Sequence, residues 1–366
     1  MPLIEGIDDR SLIHLKKIVL TGGGTAGHVT PNIAIINELD KKEWEIHYIG
    51  SKTGIEKELI EKINIPYHSI SSGKLRRYLS VENAKDVFKV LKGCLDARKL
   101  LKKIKPAVVF SKGGFVSVPV VIAASMLKIP VIIHESDLTP GLANKIALRF
   151  SSKIFTSFDE TINYLPKEKS TVIGSPIRKD ILTGSAVKGR IFLDFTSTKP
   201  IITVMGGSLG ARKINEVIRE NLEELTKKYQ IVHLCGKGNI ASEYTNNKNY
   251  KQLEYVHEEL ADILAATSLV VTRGGSNAIF EFLALKLPML IIPLSKLQSR
   301  GDQILNAKSF TKKGFSLTLE EENITSQTFL EKLLELDEKQ ETMKQAMQQY
   351  NKHDALTAIL EELNKY

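Results

Sequence analysis

Thr21-Gly22-Gly23-Gly24-Thr25-Ala26-Gly27-His28 follows the apolar run Lys17-Ile18-Val19-Leu20, and Met205-Gly206-Gly207-Ser208-Leu209-Gly210-Ala211 follows Ile201-Ile202-Thr203-Val204 about half a chain later. A short strand that ends in a glycine turn and feeds a helix directs backbone N–H groups and a positive helix end at whatever anion binds there. Two such turns predict two phosphate-friendly α/β units facing one cleft.

Outward from these turns the chain alternates strand and helix. In the first half, strands are predicted at Lys17–Leu20, Glu45–Ile49, Ala107–Phe110, Val131–Ile133, Ile154–Phe155 and Val172–Ile173, with helices at Pro31–Leu39 and Val118–Leu127. The pattern restarts at Ile201–Val204, followed by a helix over Lys213–Tyr229, strands at Ile231–Leu234, Leu269–Val271 and Met289–Ile292, and a helix at Ser276–Leu285. Short apolar strands alternating with helices imply parallel sheets buried on both faces. The 366 residues exceed one ordinary core and fit two domains. The expected division is a polar extension over 1–16, a first domain over 17–173, a second over 174–345 and a terminal helix over 346–366. The polar stretch Gly184–Lys199 reads as the connector, with an alternative hinge near Gly174-Ser175-Pro176.

Composition bounds the class. The chain is 42% hydrophobic and 25% charged, as in ordinary globular proteins. Its two cysteines, Cys94 and Cys235, are far apart, which argues against a disulfide scaffold or structural zinc. Residues 1–16 have no apolar core of signal-peptide length, and no run reaches the roughly 18 to 20 apolar residues of a membrane-spanning helix. The net charge of +9 is concentrated: Lys74–Lys105 holds eleven Lys and Arg against Glu82, Asp86 and Asp96. Val87, Leu91, Cys94 or Leu95, and Leu101 recur at helical spacing, so the later part predicts an amphipathic helix with one buried stripe. Ahead of it, Leu75, Tyr78 and Leu79 interleave with Lys74, Arg76 and Arg77. This stretch is either a solvated basic face or a docking patch for an anionic membrane. No nucleic-acid motif accompanies the charge, so no nucleic-acid partner is expected.

Gly22-x-Gly24-x-x-Gly27 also matches the dinucleotide fingerprint, a weak signal alone. A nicotinamide site wants a carboxylate at the end of the second strand, yet that strand ends Tyr48-Ile49-Gly50-Ser51, with none until Glu56. No Gly-Lys-Ser/Thr closes either turn, which excludes the Walker pattern. Further polar clusters fall at predicted strand ends, where open α/β sheets bind ligands: Ser111–Phe115, His134–Asp137, Gly174–Arg178, Arg273–Asn277 and Arg300–Gln303.

Taken in order, Gly23–Pro31, Lys112–Ser117, His134-Glu135 with Pro140–Lys145, Gly206–Ala211, Glu281-Phe282 through Pro288, and Asp302–Ala307 resemble the successive motifs of the MurG family, bacterial N-acetylglucosaminyltransferases that complete lipid II. The resemblance covers about Lys17 to Ala307. It implies a GT-B architecture, two Rossmann-like domains with parallel sheets facing a central cleft. It further implies transfer from UDP-N-acetylglucosamine to the muramoyl 4-hydroxyl of undecaprenyl-diphosphoryl-MurNAc-pentapeptide (lipid I), with inversion and without a cofactor or metal. The rival readings are another GT-B transferase, a nucleotide-sugar epimerase, and a non-catalytic surface-binding protein.

Carried over by motif, Arg178, Gly207 and Ser208 hold the diphosphate region, Glu281 the ribose hydroxyls and Val256 the uracil. Ser276 and Asn277 start a helix beneath the phosphates, and Gln303 contacts the sugar. Thr25, Ala26 and Gly27 border the donor sugar and the acceptor diphosphate. His28 and Glu135 are both candidates for the general base, since an imidazole titrates near neutral pH and a carboxylate in a cleft can be tuned upward; each also has a purely structural reading. Asp137 stands where many family members carry Asn, which puts a contact to the donor sugar in question. The expected location is the cytoplasmic face of the bacterial membrane, with Leu75, Arg76, Arg77 and Leu79 as the contact, and proteins of a cell-wall assembly are further possible partners.

Overall fold

A computed structural model describes residues 15–73, 81–207, 210–296, 301–350 and 354–366. Two parallel sheets form two lobes. The first contains β1 (Lys16–Thr21), β2 (Trp44–Ser51), β3 (Tyr67–Ile70), β4 (Val108–Ser111), β5 (Val131–Glu135), β6 (Lys153–Thr156) and β7 (Ser170–Val172), in the order β3-β2-β1-β4-β5-β6-β7. The second contains β8 (Ile201–Met205), β9 (Gln230–Leu234), β10 (Tyr250–Leu253), β11 (Leu269–Thr272), β12 (Met289–Ile291) and β13 (Ser316–Thr318), in the order β10-β9-β8-β11-β12-β13. Strand order reverses beside β1 and beside β8, so both glycine turns leave their sheets at the crevice where open α/β sheets bind ligands.

Register follows from burial on both faces. Ile18 pairs with Ile46 and Val108, and Ile202 with Ile231 and Leu269. Along β1, Ile18 and Leu20 join the core beneath the helix Thr30–Glu38, while Val19 joins the core beneath the helices Val81–Ile104 and Ser117–Met126. This alternation is the two-residue period of a strand.

Four expectations are corrected. Gly184–Lys199 is not a free connector: the helix Ala186–Leu193 lies so close to the helix Leu260–Ala266 that a Cβ on Gly189 would fall 2.2 Å from the Asp262 carbonyl oxygen. The crossing lies earlier, where Gly174 takes a positive φ of 89° just past β7. Lys213–Tyr229 is two helices, Arg212–Glu220 and Leu222–Lys228, broken at Asn221, whose Nδ2 donates to Val217 O and Ser326 Oγ.

The chain end is also two helices. Ser326–Gln349 buries Phe329, Leu333, Leu336, Met343 and Met347 in the second lobe, whereas Ala355–Leu363 buries Leu356, Ile359 and Leu363 in the first. Asp354 starts the latter by accepting from Leu356 N. Lastly, Val87, Leu91 and Leu95 do not form the buried stripe of the helix Val81–Ile104. They are 49%, 57% and 69% exposed, and Phe88 beside them is 72% exposed. The helix docks instead through Gly93, Ala97, Leu101 and Ile104, the small Gly93 admitting the Ser71 carbonyl and Pro119.

Candidate active site

The first glycine turn is built by close backbone approach. Gly114, at φ 83°, packs so tightly on Gly23 that a Cβ would fall 2.1 Å from its carbonyl oxygen. Glu56, buried behind the turn, accepts from Gly24 N at 3.2 Å and from Ser51 N at 3.1 Å. An internal carboxylate thus holds one of the turn's N–H groups, a physical reason beyond spacing why this is not a nicotinamide site. His28 Nδ1 lies 2.9 Å from Thr25 Oγ1. Together with Gly24, Phe115, Glu135 and Asp137 these two residues line a cavity of about 260 Å³.

Across from it, Gly206, Gly207, Arg273, Gly275 and Gln303 line a second cavity of about 350 Å³. Gln303 Oε1 accepts from Gly274 N at 3.2 Å and Leu294 N at 2.9 Å, so the NH2 end of its amide is the donor left for a ligand. The two cavities belong to one cleft. Asn277 Nδ2 donates to Gly27 O at 2.6 Å, and Ser175 Oγ donates to Asn277 Oδ1 at 3.5 Å. Asn306 of the second lobe donates to Asp137 Oδ1 at 3.1 Å and accepts from Leu138 N at 3.0 Å.

With this geometry in place, the relatives decide the family. Residues 18–156 match the glycosyltransferase family 28 N-terminal domain, and residues 201–362 match its C-terminal domain. A Bacillus cereus protein named UDP-N-acetylglucosamine--N-acetylmuramyl-(pentapeptide) pyrophosphoryl-undecaprenol N-acetylglucosamine transferase 2 is 57% identical, covering 96% of this chain and 100% of its own. A transferase of the same name, unnumbered, from Shouchella clausii is 57% identical over 96% of this chain and 99% of its own. The chain belongs to the MurG family of glycosyltransferases. The crystal structure of Acinetobacter baumannii MurG shares the fold, with a TM-score of 0.76 at 24% identity over 96% of this chain and 100% of that one.

Set against the MurG motifs, the structure brings Thr25, His28 and Glu135 to one wall of the cleft and Gly207 and Gln303 to the other. Gly27 and Asn277 form the bridge between them, and Ser276 is buried at the first position of its helix. Ser208, Leu75, Arg76, Arg77 and Leu79 lie outside the described residues. Arg178, expected at the diphosphate region, lies beside the Glu281 carboxylate. Its Nε lies 3.4 Å from Glu281 Oε1 and Nη1 3.8 Å from Asp180, and it lines a separate cavity of about 220 Å³ with His257, two residues beyond Tyr255 and next to Val256. Burial pushes the Glu281 carboxyl up, and the Arg178 guanidinium opposes this.

Glu135 is enclosed. Its Oε1 accepts from Asp137 N at 2.9 Å, and Oε2 accepts from Gly141 N at 3.1 Å and Asn144 Nδ2 at 2.8 Å. Burial, then the Asp137 charge, push its carboxyl up to about 7 against these donors. Three residues escaped assignment from sequence. Glu56 reaches Gly24 of the first turn, and Asn306 reaches Asp137, Leu138 and Gly274, only through the fold. Lys112 was visible as the lone charge closing the apolar run Val108-Val109-Phe110, the one signal a buried lysine leaves.

Proposed function

We propose that this chain transfers N-acetylglucosamine from UDP-N-acetylglucosamine to the 4-hydroxyl of the muramoyl sugar of lipid I, inverting the anomeric centre to give the β1,4-linked disaccharide of lipid II. The observation that carries this is the Asn277–Gly27 bond between the lobes, beside a cavity at each glycine turn, an arrangement suited to a hydroxyl acceptor facing a nucleotide-sugar donor. The acceptor oxygen bonds to the sugar C1 as the C1–O bond to UDP breaks, UDP leaving with that electron pair. The acceptor proton passes to His28. His28 Nδ1 and Thr25 Oγ1 lie 2.9 Å apart; in the tautomer with the proton on Nδ1, that N–H donates to the hydroxyl and the lone pair on Nε2 takes the acceptor proton.

Glu135, whose two oxygens already take three N–H donors, acts by holding the loop that lines the acceptor cavity. Charge growing on the departing UDP is met by the Gly207 N–H of the second turn and by the N-terminus of the helix Ser276–Ala284, with Ser208 carried over by motif alone. Glu281, oriented by Arg178, accepts from the ribose hydroxyls; Val256 meets the uracil through its backbone, and Gln303 donates to the sugar.

The acceptor hangs from a lipid, and among the described residues no helix is long and apolar enough to cross a membrane. The exposed face Val87, Phe88, Leu91 and Leu95, set among Lys89, Lys92 and Lys99, is the surface that meets the anionic cytoplasmic leaflet, in addition to Leu75, Arg76, Arg77 and Leu79, which the sequence suggests and which lie outside the described residues. Adding UDP-N-acetylglucosamine with a soluble lipid I analogue tests the transfer. UDP release that requires the acceptor supports it, whereas epimerisation of the donor without acceptor, or no UDP release, rejects it.

A further inference from the structure

We infer that Glu56 is a positioning residue for the transfer: its carboxylate anchors the first glycine turn and thereby sets His28 against the acceptor cavity. The side chain is fully buried, and a carboxylate taken out of water needs donors around it. Oε2 accepts from Gly24 N at 3.2 Å, and Oε1 accepts from Ser51 N at 3.1 Å and from Ser51 Oγ. Glu56 is also the second residue of the helix Ile55–Lys62, the end at which helix N–H groups favour negative charge. Three glycines from separate segments make the space. A Cβ on Gly23 would fall 2.5 Å from Glu56 Cδ, one on Gly50 would fall 3.0 Å from its Cγ, and one on Gly54 would overlap the carboxyl group. None of the three takes a positive φ, so they supply close approach and not a special backbone conformation.

The path from this anchor to the imidazole is one residue long. Gly24 turns the chain at φ 85°, and a Cβ there would lie 2.8 Å from Phe115 Cε1. With Glu56 on its N–H and the Phe115 ring against its α-carbon, Gly24 is gripped from two sides. The next residue, Thr25, starts the single helical turn Ala26–His28: its carbonyl accepts from His28 N at 3.1 Å, and its Oγ1 lies 2.9 Å from His28 Nδ1. Gly24, Thr25 and His28 all line the acceptor-side cavity. Tyr48 and Asn32 hold the incoming end of the turn by its carbonyls, Tyr48 Oη donating to Gly22 O at 2.7 Å and Asn32 Nδ2 to Thr21 O at 3.2 Å. Glu56 acts nearer the reacting group, on the residue before Thr25. A shift of the Gly24 peptide therefore passes through Thr25 to His28, and a displacement of about 1 Å in a reacting group is enough to cost about 100-fold in rate.

The inference rests on reading this cavity as the acceptor side and His28 as the proton acceptor, and three variants separate it from that reading. Glu56→Gln keeps the volume but has one oxygen, which serves Ser51; its NH2 end then faces the Gly24 N–H, donor against donor. Gly54→Ala keeps the carboxylate and displaces it, at a residue whose φ of −81° suits alanine. Ser51→Ala removes one bond to Glu56 and leaves the Gly24 bond. With the full chain, UDP-N-acetylglucosamine and a soluble lipid I analogue, kcat and KM are measured for each. Wild type that releases no UDP removes the reading of function, and this inference with it. Given wild-type turnover, Glu56→Gln and Gly54→Ala each lower kcat by about 10 to 100-fold with KM for the donor within about threefold, because a misplaced base slows the chemistry without weakening donor binding. Ser51→Ala stays within about twofold of wild-type kcat. Wild-type kcat in Glu56→Gln overturns the inference, as does a fall in Ser51→Ala equal to that in Glu56→Gln, which would assign the effect to lost stability. Should Glu56→Gln not fold, Gly54→Ala decides the point with amide hydrogen exchange as a second readout. Exchange at the Gly24 N–H quickens by about tenfold or more and kcat falls with it; an unchanged exchange rate, or quickened exchange at wild-type kcat, overturns the inference.

Discussion

Burial pushes Glu135 up from 4.5 and Lys112 down from 10.5 toward the same value, about 7, so near neutral pH the centre of the first lobe holds its charges at the greatest disadvantage. The signs differ. The raised Glu135 contributes stability that is full below its unfolded value and lost as pH rises through about 7, whereas the depressed Lys112 contributes stability that is full above its unfolded value and lost as pH falls through about 7. Glu135→Gln, neutral at every pH, isolates the first contribution. In urea unfolding, the stability of wild type relative to Glu135→Gln falls by an amount of order 2 kcal/mol between pH 5 and 7.5; a difference that stays flat or grows removes the buried-acid account. The proton acceptor is a separate residue. His28→Ala lowers kcat by about 10² to 10⁴ while leaving KM for UDP-N-acetylglucosamine near wild type, and full turnover by this variant sinks the assignment.

The helix Val81–Ile104 shows how far an element can be read from its pattern. Its existence and its amphipathic character were legible, and Leu101 of the expected stripe is buried, but Val87, Leu91 and Leu95 are not, because hydrophobic period identifies a stripe and not what the stripe touches. Gly93 and Ala97, weak in hydropathy, make the tight packing, and the larger Val87, Phe88, Leu91 and Leu95 are left outside. The same limit applies to strands. The strands β1, β4, β5 and β8 were legible as continuous apolar runs buried on both faces, whereas the edge strands β3, β10 and β13 are short and partly polar and gave no such run. Of the site, both glycine turns and His28 could be read directly, since a turn needs glycine locally; Asn306 and Glu56 could not, since their partners are set by tertiary folding. If the exposed face is the membrane contact, Phe88→Glu with Leu95→Glu reduces binding to vesicles containing anionic lipid by tenfold or more, at about 1.5 to 3 kcal/mol for each large apolar side chain withdrawn. Turnover of a soluble acceptor stays unchanged, and vesicle binding equal to wild type would assign this face to something else.

At the scale of the whole molecule, the chain crosses between the lobes twice at neighbouring places. Gly174 leads it across after β7, Ala355–Leu363 returns it to the first lobe, and a Cβ on Gly174 would lie 4.0 Å from Ala355 Cβ. Asn306 adds a side-chain clasp between the lobes, accepting from Leu138 N and donating to both Asp137 Oδ1 and Gly274 O. One amide thereby links the acceptor-side loop to the loop that begins the donor-side helix. Asp137, standing where many family members carry Asn, fits this arrangement because a carboxylate can only accept and Asn306 supplies the donor. Asn306→Ala leaves a buried N–H and carbonyl unpaired, a loss of about 1 to 3 kcal/mol, and it falls on the closed arrangement more than on either lobe's core. Thermal unfolding therefore shifts by only a few degrees, while kcat/KM for the acceptor falls about 10 to 100-fold and the radius of gyration in solution scattering rises. A large fall in unfolding temperature with the radius unchanged would place Asn306 in the packing of the second lobe and not in the coupling of the two.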